Sequence, residues 1–571
     1  MIQQIARSFQ SRRRLCDRSA GAREGAGFLI VGCGFHQDWR RSSMAAHSPP
    51  SELLTTTEMA MADRLTIEAG TPGIVLMERA GGAVARAAAH RMTTRGCARG
   101  RIAIFCGPGN NGGDGFVAAR HLVAEGFDID LALLGARADL RGDAAWAAES
   151  WTGPVVALDA VALEEVDLAI DALFGAGLTR AVEGEAKDAI QRMNEWTLRT
   201  GKPIVSVDIP SGIDGSTGEA RGDAVKAAYT VTFFRLKPGH ILLPGRVHCG
   251  EIECADIGIP DDVLARIAPQ NAINVPAVWA ACFPRLRIEG HKYSRGHALV
   301  LSGGRAHTGA ARLAARGALR AGAGLVTVAT PSEALPIHAA ALTAIMTTIC
   351  EGPEDLAQIL ADRRKNAVVI GPGLGVGKAT RDLVFAALAR HDAGTQSPRG
   401  IVLDADALTS FAGEPSHLAE AIAASDCSVV LTPHDGEFAR LFATKEGESR
   451  DHPATELLVS GSKLKRACGA AALMQATIVL KGADSVVADQ HGRTTIARNA
   501  PPWLATAGSG DVLAGFIAAL LAQGMPAFEA ASAAVYLHAA AAQHFGPGLI
   551  SEDIPENLPP VLRQILATIG P

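Results

Sequence analysis

Three segments in the first half of this chain set amides and acids against glycine: Gly107-Pro-Gly-Asn-Asn-Gly-Gly-Asp-Gly115, Asp171-Ala-Leu-Phe-Gly-Ala-Gly177 and Asp208-Ile-Pro-Ser-Gly212. Asn110 and Asn111 offer carbonyl oxygens to a cation and N–H donors to a ligand. The same pair suits a plain tight turn, because Asn and Gly both tolerate positive φ, so the first segment alone leaves both readings open. The later two shift the balance. Asn111, Asp171 and Ser211 together supply the oxygen ligands that a hard cation takes. Asp208 then remains as a candidate acid/base, with Asp114 second, although a carboxylate in a glycine loop can instead bind a ribose or cap a helix.

A fourth segment, Gly508-Ser-Gly-Asp511, opens directly into the apolar run Val512-Leu-Ala-Gly. Free N–H groups and the positive end of a helix dipole make an anion cradle. An acid beside such a cradle can take the proton of a hydroxyl that is being phosphorylated. The plainer reading is a helix-start acid worth about 0.3–1 kcal/mol. Asp404 and Asp406 follow an apolar run and could sit near phosphate and metal, or cap the next helix; both stay open. Gly371-Pro-Gly-Leu-Gly-Val-Gly-Lys-Ala379 imitates a P-loop but fails: Pro372 takes the place of the first glycine, and Ala379 leaves magnesium without its hydroxyl. A glycine loop packed on a flat ligand fits it better.

These residues need elements to hold them. The first-half motifs follow short apolar runs at Arg101–Cys106, within Asp167–Asp171 and at Pro203–Val207, and helical spacing resumes from Phe116. Strand, glycine turn and helix in that order predict an α/β, Rossmann-like doubly wound domain, whose ligands collect at the carboxyl ends of the strands. The pattern restarts beyond Pro276 and Pro284, with predicted strands at Ala298–Ser302, Leu325–Thr330, Ala367–Ile370, Ile401–Leu403, Ser428–Thr432 and Thr477–Lys481 and helical stretches between most of them. The expected domains are 44–268 and 272–571, after an Arg-rich, disordered extension at 1–43. A helix with a capping residue is expected to start at Thr57.

Composition excludes several classes. Of 571 residues 48% are hydrophobic and 20% charged, enough apolar material for more than one core. The net charge of -5 argues against an overall basic field, so no nucleic-acid partner is expected. No run approaches the ~18 apolar residues of a membrane span. Ten cysteines without a Cys-x-x-Cys pair read as reduced thiols in a cytoplasmic enzyme. A homo-oligomer is expected.

The three first-half motifs, in this order, resemble those of the NAD(P)H-hydrate epimerase family over roughly residues 52–268. The resemblance implies a potassium ion on Asn111, Asp171 and Ser211. It also implies a hydrated nicotinamide nucleotide held by Asn110, Asn111, Gly112, Gly113 and Asp114, by Gly175, Ala176, Gly177, Leu178, Thr179, Arg180 and Ala181, and by Asp208, with Asp208 catalytic. In the second half, His291-Lys-Tyr-Ser-Arg-Gly-His297, Gly371-Pro-Gly-Leu-Gly375, Leu431-Thr-Pro-His-Asp-Gly-Glu437, Lys481-Gly-Ala-Asp-Ser485 and Gly508-Ser-Gly-Asp511 are similar to the ribokinase-like, ADP- or ATP-dependent NAD(P)H-hydrate dehydratases. That resemblance implies Ala310, Gly373, His434 and Asp511 on the hydrate, and Lys481, Gly482, Ala483, Asp484, Ser485 and Gly510 on the adenine nucleotide with Mg²⁺. One departure is Asp435, where the family carries proline. Jointly the halves imply a repair enzyme that interconverts R and S hydrates of NADH and NADPH and dehydrates the S form at the expense of ADP or ATP. The alternative is a ribokinase-like small-molecule kinase fused to an accessory binding domain.

Overall fold

The computed structural model describes residues 50–569 apart from 98, 391–397, 444–456 and 458–459; the expected extension at 1–43 lies outside the described residues. Seventeen strands are described. In the first half they are β1 (Glu52–Leu53), β2 (Arg101–Cys106), β3 (Asp128–Leu133), β4 (Leu168–Ala172), β5 (Ile204–Val207), β6 (Tyr229–Phe233) and β7 (Glu251–Ala255). The second half supplies β8 (Asn271–Ile273), β9 (His297–Leu301), β10 (Leu325–Thr330), β11 (Met346–Ile349), β12 (Lys365–Ile370), β13 (Gly400–Leu403), β14 (Ser428–Leu431), β15 (Thr477–Leu480), β16 (Val486–Ala488) and β17 (Thr494–Ile496).

The first sheet runs β3-β2-β4-β5-β6-β7, parallel throughout. Its central strands are buried on both faces, which is why they read as continuous apolar runs rather than alternating ones. The chain leaves β2 for β3 on one side and returns to β4 on the other. The crevice between the ends of β2 and β4 is therefore the switch point at which such sheets bind ligands.

The second sheet runs β1-β8-β17-β16-β15-β14-β13-β12-β9-β10-β11. Pairing is parallel from β15 to β11 and antiparallel around the β15-β16-β17 meander. It has its own switch point, between β9 and β12. Helix Ser509–Ala522 is buried along Val512–Ala522 on every side, as expected of an all-apolar helix. It crosses helix Thr308–Arg320 closely enough that a Cβ on Gly515 would run into the Ala314 carbonyl. That packing fixes where Asp511 starts.

Three local readings change. The first helix, α1 (Thr56–Glu68), is capped by Thr55, whose side chain and Glu58 form a capping box. Helix α2 (Gly73–Thr94) follows, and helix α3 (Asn110–Ala124) begins inside the expected glycine loop. Gly112 and Gly113 serve close packing there, since a Cβ would strike the Gly107 carbonyl in one case and the Met77 side chain in the other. Finally, β1 belongs to the span expected for the first domain yet pairs antiparallel with β8 of the second sheet. Leu53 is buried in the core of the second half and its neighbour Leu54 in that of the first, because adjacent residues of an extended chain point to opposite sides.

Candidate active sites

A cavity of about 760 Å³ opens at the first switch point. Asn110, Asn111, Asp114, Gly175, Ala176, Gly177, Leu178, Thr179, Arg180 and Asp208 all stand on its wall, as do Asp63 and Lys237. Gly112, Gly113 and Ala181 do not. Asp171 and Ser211 lie beneath it, fully buried. There the Asp171 carboxylate accepts from Ser211 Oγ (2.5 Å), the Ser211 N–H (2.8 Å) and Ser206 Oγ (2.8 Å). Burial pushes this carboxyl up and those bonds pull it back; no cationic side chain pairs with it among the described residues. Asn111 is buried as well, and its amide Nδ2 has no hydrogen-bond partner among the described residues.

Asp208 directly follows β5 with φ 63, a left-handed conformation that costs a non-glycine residue about 1–3 kcal/mol unless its surroundings enforce it. They do. Its N–H donates to the Val231 carbonyl (2.7 Å), and its own carbonyl takes His240 Nε2 (2.8 Å). Its carboxylate accepts from Lys237 Nζ (2.6 Å), Thr232 Oγ1 (3.0 Å) and the Ala176 N–H (3.0 Å). Burial alone would raise this carboxyl, but the Lys237 ammonium outweighs it and holds the group at about 2. Burial and the same ammonium depress His240 to about 4. Its Nδ1 accepts the Lys237 N–H (2.9 Å), which assigns the proton of the neutral ring to Nε2. Lys237 and His240 were missed in the sequence; the only signal was the run Arg235-Leu-Lys-Pro-Gly-His240 after an apolar stretch.

The second site gathers the loops after β9, β12, β13, β14 and β15. A Cβ on Gly303 would collide with the Gly373 carbonyl, so the loops after β9 and β12 touch. Gly373 also lies within 3.6 Å of Ala310, measured from the Cβ it lacks. Lys378 projects to solvent and pairs with Asp382 (2.6 Å), which agrees with the rejection of a P-loop here. Asp404, after β13, is buried and accepts from Lys481 Nζ (2.7 Å) and Thr432 Oγ1 (2.8 Å). Asp406 takes the Gly375 N–H (2.8 Å). His434 caps helix Asp435–Leu441 through Nδ1 and the Gly436 N–H (2.9 Å), with Glu437 closing the box. Glu437 reaches Lys481 at 3.5 Å.

Asp511 sits in the first turn of helix Ser509–Ala522, after Gly508 at φ 85. Burial, then Asp404, raise its carboxyl; Lys481 lowers it, and the balance stands at about 7. Gly510 lies 3.4 Å from Lys481 Nζ, again from the absent Cβ. Among the residues expected on the nucleotide, Lys481 and Gly510 thus converge on Asp404. Asp484 instead forms a buried pair with Lys463 (2.6 Å) and accepts the Leu243 N–H of the first half (2.9 Å). Ser485 Oγ closes a turn onto the Gly482 carbonyl (2.8 Å), and the Ala483 carbonyl takes Arg246 (3.3 Å).

Two family models match this chain: NAD(P)H-hydrate dehydratase over residues 298–551, and the YjeF-related protein N-terminus over 73–239. The bifunctional NAD(P)H-hydrate repair enzyme Nnr of Moorella thermoacetica is 37% identical, over 90% of this chain and 97% of its own length. The chain belongs to the bifunctional NAD(P)H-hydrate repair enzyme family. The Salinibacter ruber member is 34% identical, over 92% of this chain and 98% of itself. An ADP/ATP-dependent NAD(P)H-hydrate dehydratase from Bacillus subtilis, co-crystallized with ATP/Mg2+, is 28% identical over 51% of this chain and 98% of its own, with a TM-score of 0.42. Each family model covers one of the two switch points. Among the described residues no helix is long and apolar enough to cross a membrane.

Proposed function

We infer that this chain repairs hydrated NADH and NADPH, interconverting the two C6 epimers in its first half and dehydrating the S form in its second. The observation that carries this reading is the contrast between two acids in one chain: Lys237 Nζ bonds Asp208 directly (2.6 Å), whereas Lys481 Nζ bonds Asp404 (2.7 Å) and leaves Asp511 without it at the start of helix Ser509–Ala522. Asp208 is fixed as an anion by Lys237, whereas Asp511 is poised near neutrality.

In the first half, loss of the C6 hydroxyl leaves positive charge shared between N1 and C6. A permanent carboxylate beside that ring stabilises the charge as it develops, without any rearrangement at the moment of reaction. Asp208 supplies it, and the glycine turn 175–181 leaves room for the nucleotide. Potassium fits the layer below. Asp171 is a buried carboxylate without a cationic side chain, and Asn111, Asp171 and Ser211 would hold the ion, which would steady the loops that carry Asp208 and Ala176.

In the second half, Asp511 takes the proton of the C6 hydroxyl, whose oxygen attacks the terminal phosphoryl of ADP or ATP. The phosphate then leaves with the C6–O electron pair, and a C5 proton is lost to restore the dihydropyridine ring. Helix Ser509–Ala522 points its free N–H groups at the transferring phosphoryl, and Lys481 adds a cation. Asp404, Asp406, Glu437 and Asp511 outnumber that lysine, so their surplus negative charge suits Mg²⁺ arriving with the nucleotide. Asp404 and Glu437 would hold it, and it would neutralise charge on the phosphates. A cytoplasmic, homo-oligomeric enzyme with small-molecule partners is consistent with this reading.

The test is to mix the protein with racemic NADH hydrate, Mg²⁺ and ADP or ATP, following NADH absorbance. Complete conversion is expected. A fast phase that stops at half would remove the epimerase, and a stable phosphorylated product would point to a kinase instead.

A further inference from the structure

The first cavity holds a carboxylate that no motif announced. Asp63 lies on α1 and lines the same cavity as Asn111, Asp114, Asp208 and Lys237. That helix is anchored. The Thr56 N–H and hydroxyl both meet Ser216 Oγ at 3.1 Å, and Ala62 and Leu65 are buried in the core on either side of Asp63. Asp63 therefore faces the cavity by packing rather than by a bond of its own, and among the described residues its carboxylate takes no hydrogen bond. Asp208 is the opposite case, with three donors on its oxygens.

This contrast matters for the chemistry. If hydroxide is to leave C6 it must leave as water, which needs a proton, and Asp208 has none to give. We propose that Asp63 is the proton donor of the first-half reaction. This rests on the epimerase reading above. The Asp63 proton goes to the C6 hydroxyl oxygen, the C6–O bond breaks with its pair on the departing water, and the N1 lone pair closes N1=C6. Water then adds to the other face of C6 and loses a proton to solvent through the open cavity, while Asp63 is reprotonated from the same solvent. The ring returns to its starting oxidation level with inverted C6. Burial supports the role: it pushes this carboxyl up to about 6, with Lys237 pulling it down and Asp208 adding to the rise. The other titratable groups on the cavity are Asp114, Asp143, Asp208, Arg180 and Lys237.

The experiment uses the full chain and the single R hydrate of NADH without nucleotide, with the S hydrate followed by chromatography. Asp63→Asn is expected to lower kcat by about 10²-fold or more, the usual worth of a general acid, with KM changed less than about threefold. Asp63→Glu should recover at least a tenth of the lost rate. Wild-type kcat/KM should fall with rising pH above about 6, and that limb should vanish in Asp63→Asn. Dehydration of the S hydrate with ADP checks folding in every variant. Asp63→Asn within about threefold of wild type, against that 10²-fold expectation, overturns the proposal, as does an unchanged pH limb. A wild-type chain that never interconverts the hydrates overturns the epimerase reading itself, which is a separate result.

Discussion

The two halves solve the same placement problem and then diverge over one ammonium. Each sets an acid at the carboxyl edge of a parallel sheet, just after β5 in one and at the start of helix Ser509–Ala522 in the other. Each brings a lysine to its acids, Lys237 buried and Lys481 half-buried. In the first half Lys237 bonds the central acid directly, and Asp208 is held at about 2. In the second, Lys481 bonds the neighbour Asp404, and Asp511 rises to about 7 among like charges. At these positions burial raises both carboxyls; the partner of the lysine decides which one stays an anion and which can accept a proton near neutral pH.

Removing the proton-accepting charge from the second site should have the largest effect. Asp511→Asn should lower dehydration of the S hydrate by about 10²–10⁴-fold, with epimerisation untouched and ADP still bound by calorimetry. Retention of a third of the activity would reduce Asp511 to a helix-start acid and erase the contrast.

The lysine of the first site comes next. Lys237→Met leaves Asp208 buried without its partner, which should cost about 3–5 kcal/mol, read by urea unfolding. The cost should be several times smaller when Asp208→Asn is present too. An additive pair would mean that Lys237 and Asp208 do not act as a unit.

The two buried leucines of the N-terminal strand offer a structural version of the same comparison. Leu53→Ala and Leu54→Ala should each cost about 2–5 kcal/mol. The first should weaken the second half and the second the first half, as judged by which activity is lost first on heating. Identical loss of both activities in either variant would show that the halves melt as one.

The pH profile of the second site distinguishes it further. An acid raised from its ordinary 3.8 is protonated in the folded enzyme up to about 7, so kcat/KM for dehydration should rise about tenfold per pH unit below 7 and level above it. The slope should disappear in Asp511→Asn.

The smallest effect is on stability in mild acid. His240, His297 and His538 are buried with values near 4. Their unfolded forms take protons from about 6.5 downward, so they lose stability as pH drops toward 4, while Asp511 and Asp63, raised to about 7 and about 6, gain it over the same range and offset much of that loss. The depressed Asp208 adds its own loss only later, as pH falls from about 3.8 toward 2. In the double variant Asp63→Asn/Asp511→Asn, which removes those opposing carboxyls, a melting temperature flat between pH 6.5 and 5 would contradict the buried histidines.

Much of this was legible in the chain itself. Runs such as Ile102-Ala-Ile-Phe-Cys106 and Ile401-Val-Leu403 predict buried strands because an apolar segment must be covered on both faces. Glycines and acids at their ends mark the carboxyl edge, where a parallel sheet exposes its loops. Strand β10 was read to the residue, and the acids Asp171, Asp208 and Asp511 fall at strand or helix ends, as their motifs implied. Strands β1, β3, β6, β7, β8, β11, β16 and β17 escaped, most of them because two to five residues carry no period. The start of α3 escaped because glycines that serve close packing look like glycines that serve a turn. The lysine partners, the placement of the Asp63 carboxylate on the first cavity and the crossing of β1 into the second sheet were decided only by the tertiary structure. Local sequence sets which face of an element is apolar and where it ends. Charge acts through space over a few ångströms, and which ammonium meets which carboxylate depends on how separate loops are brought together.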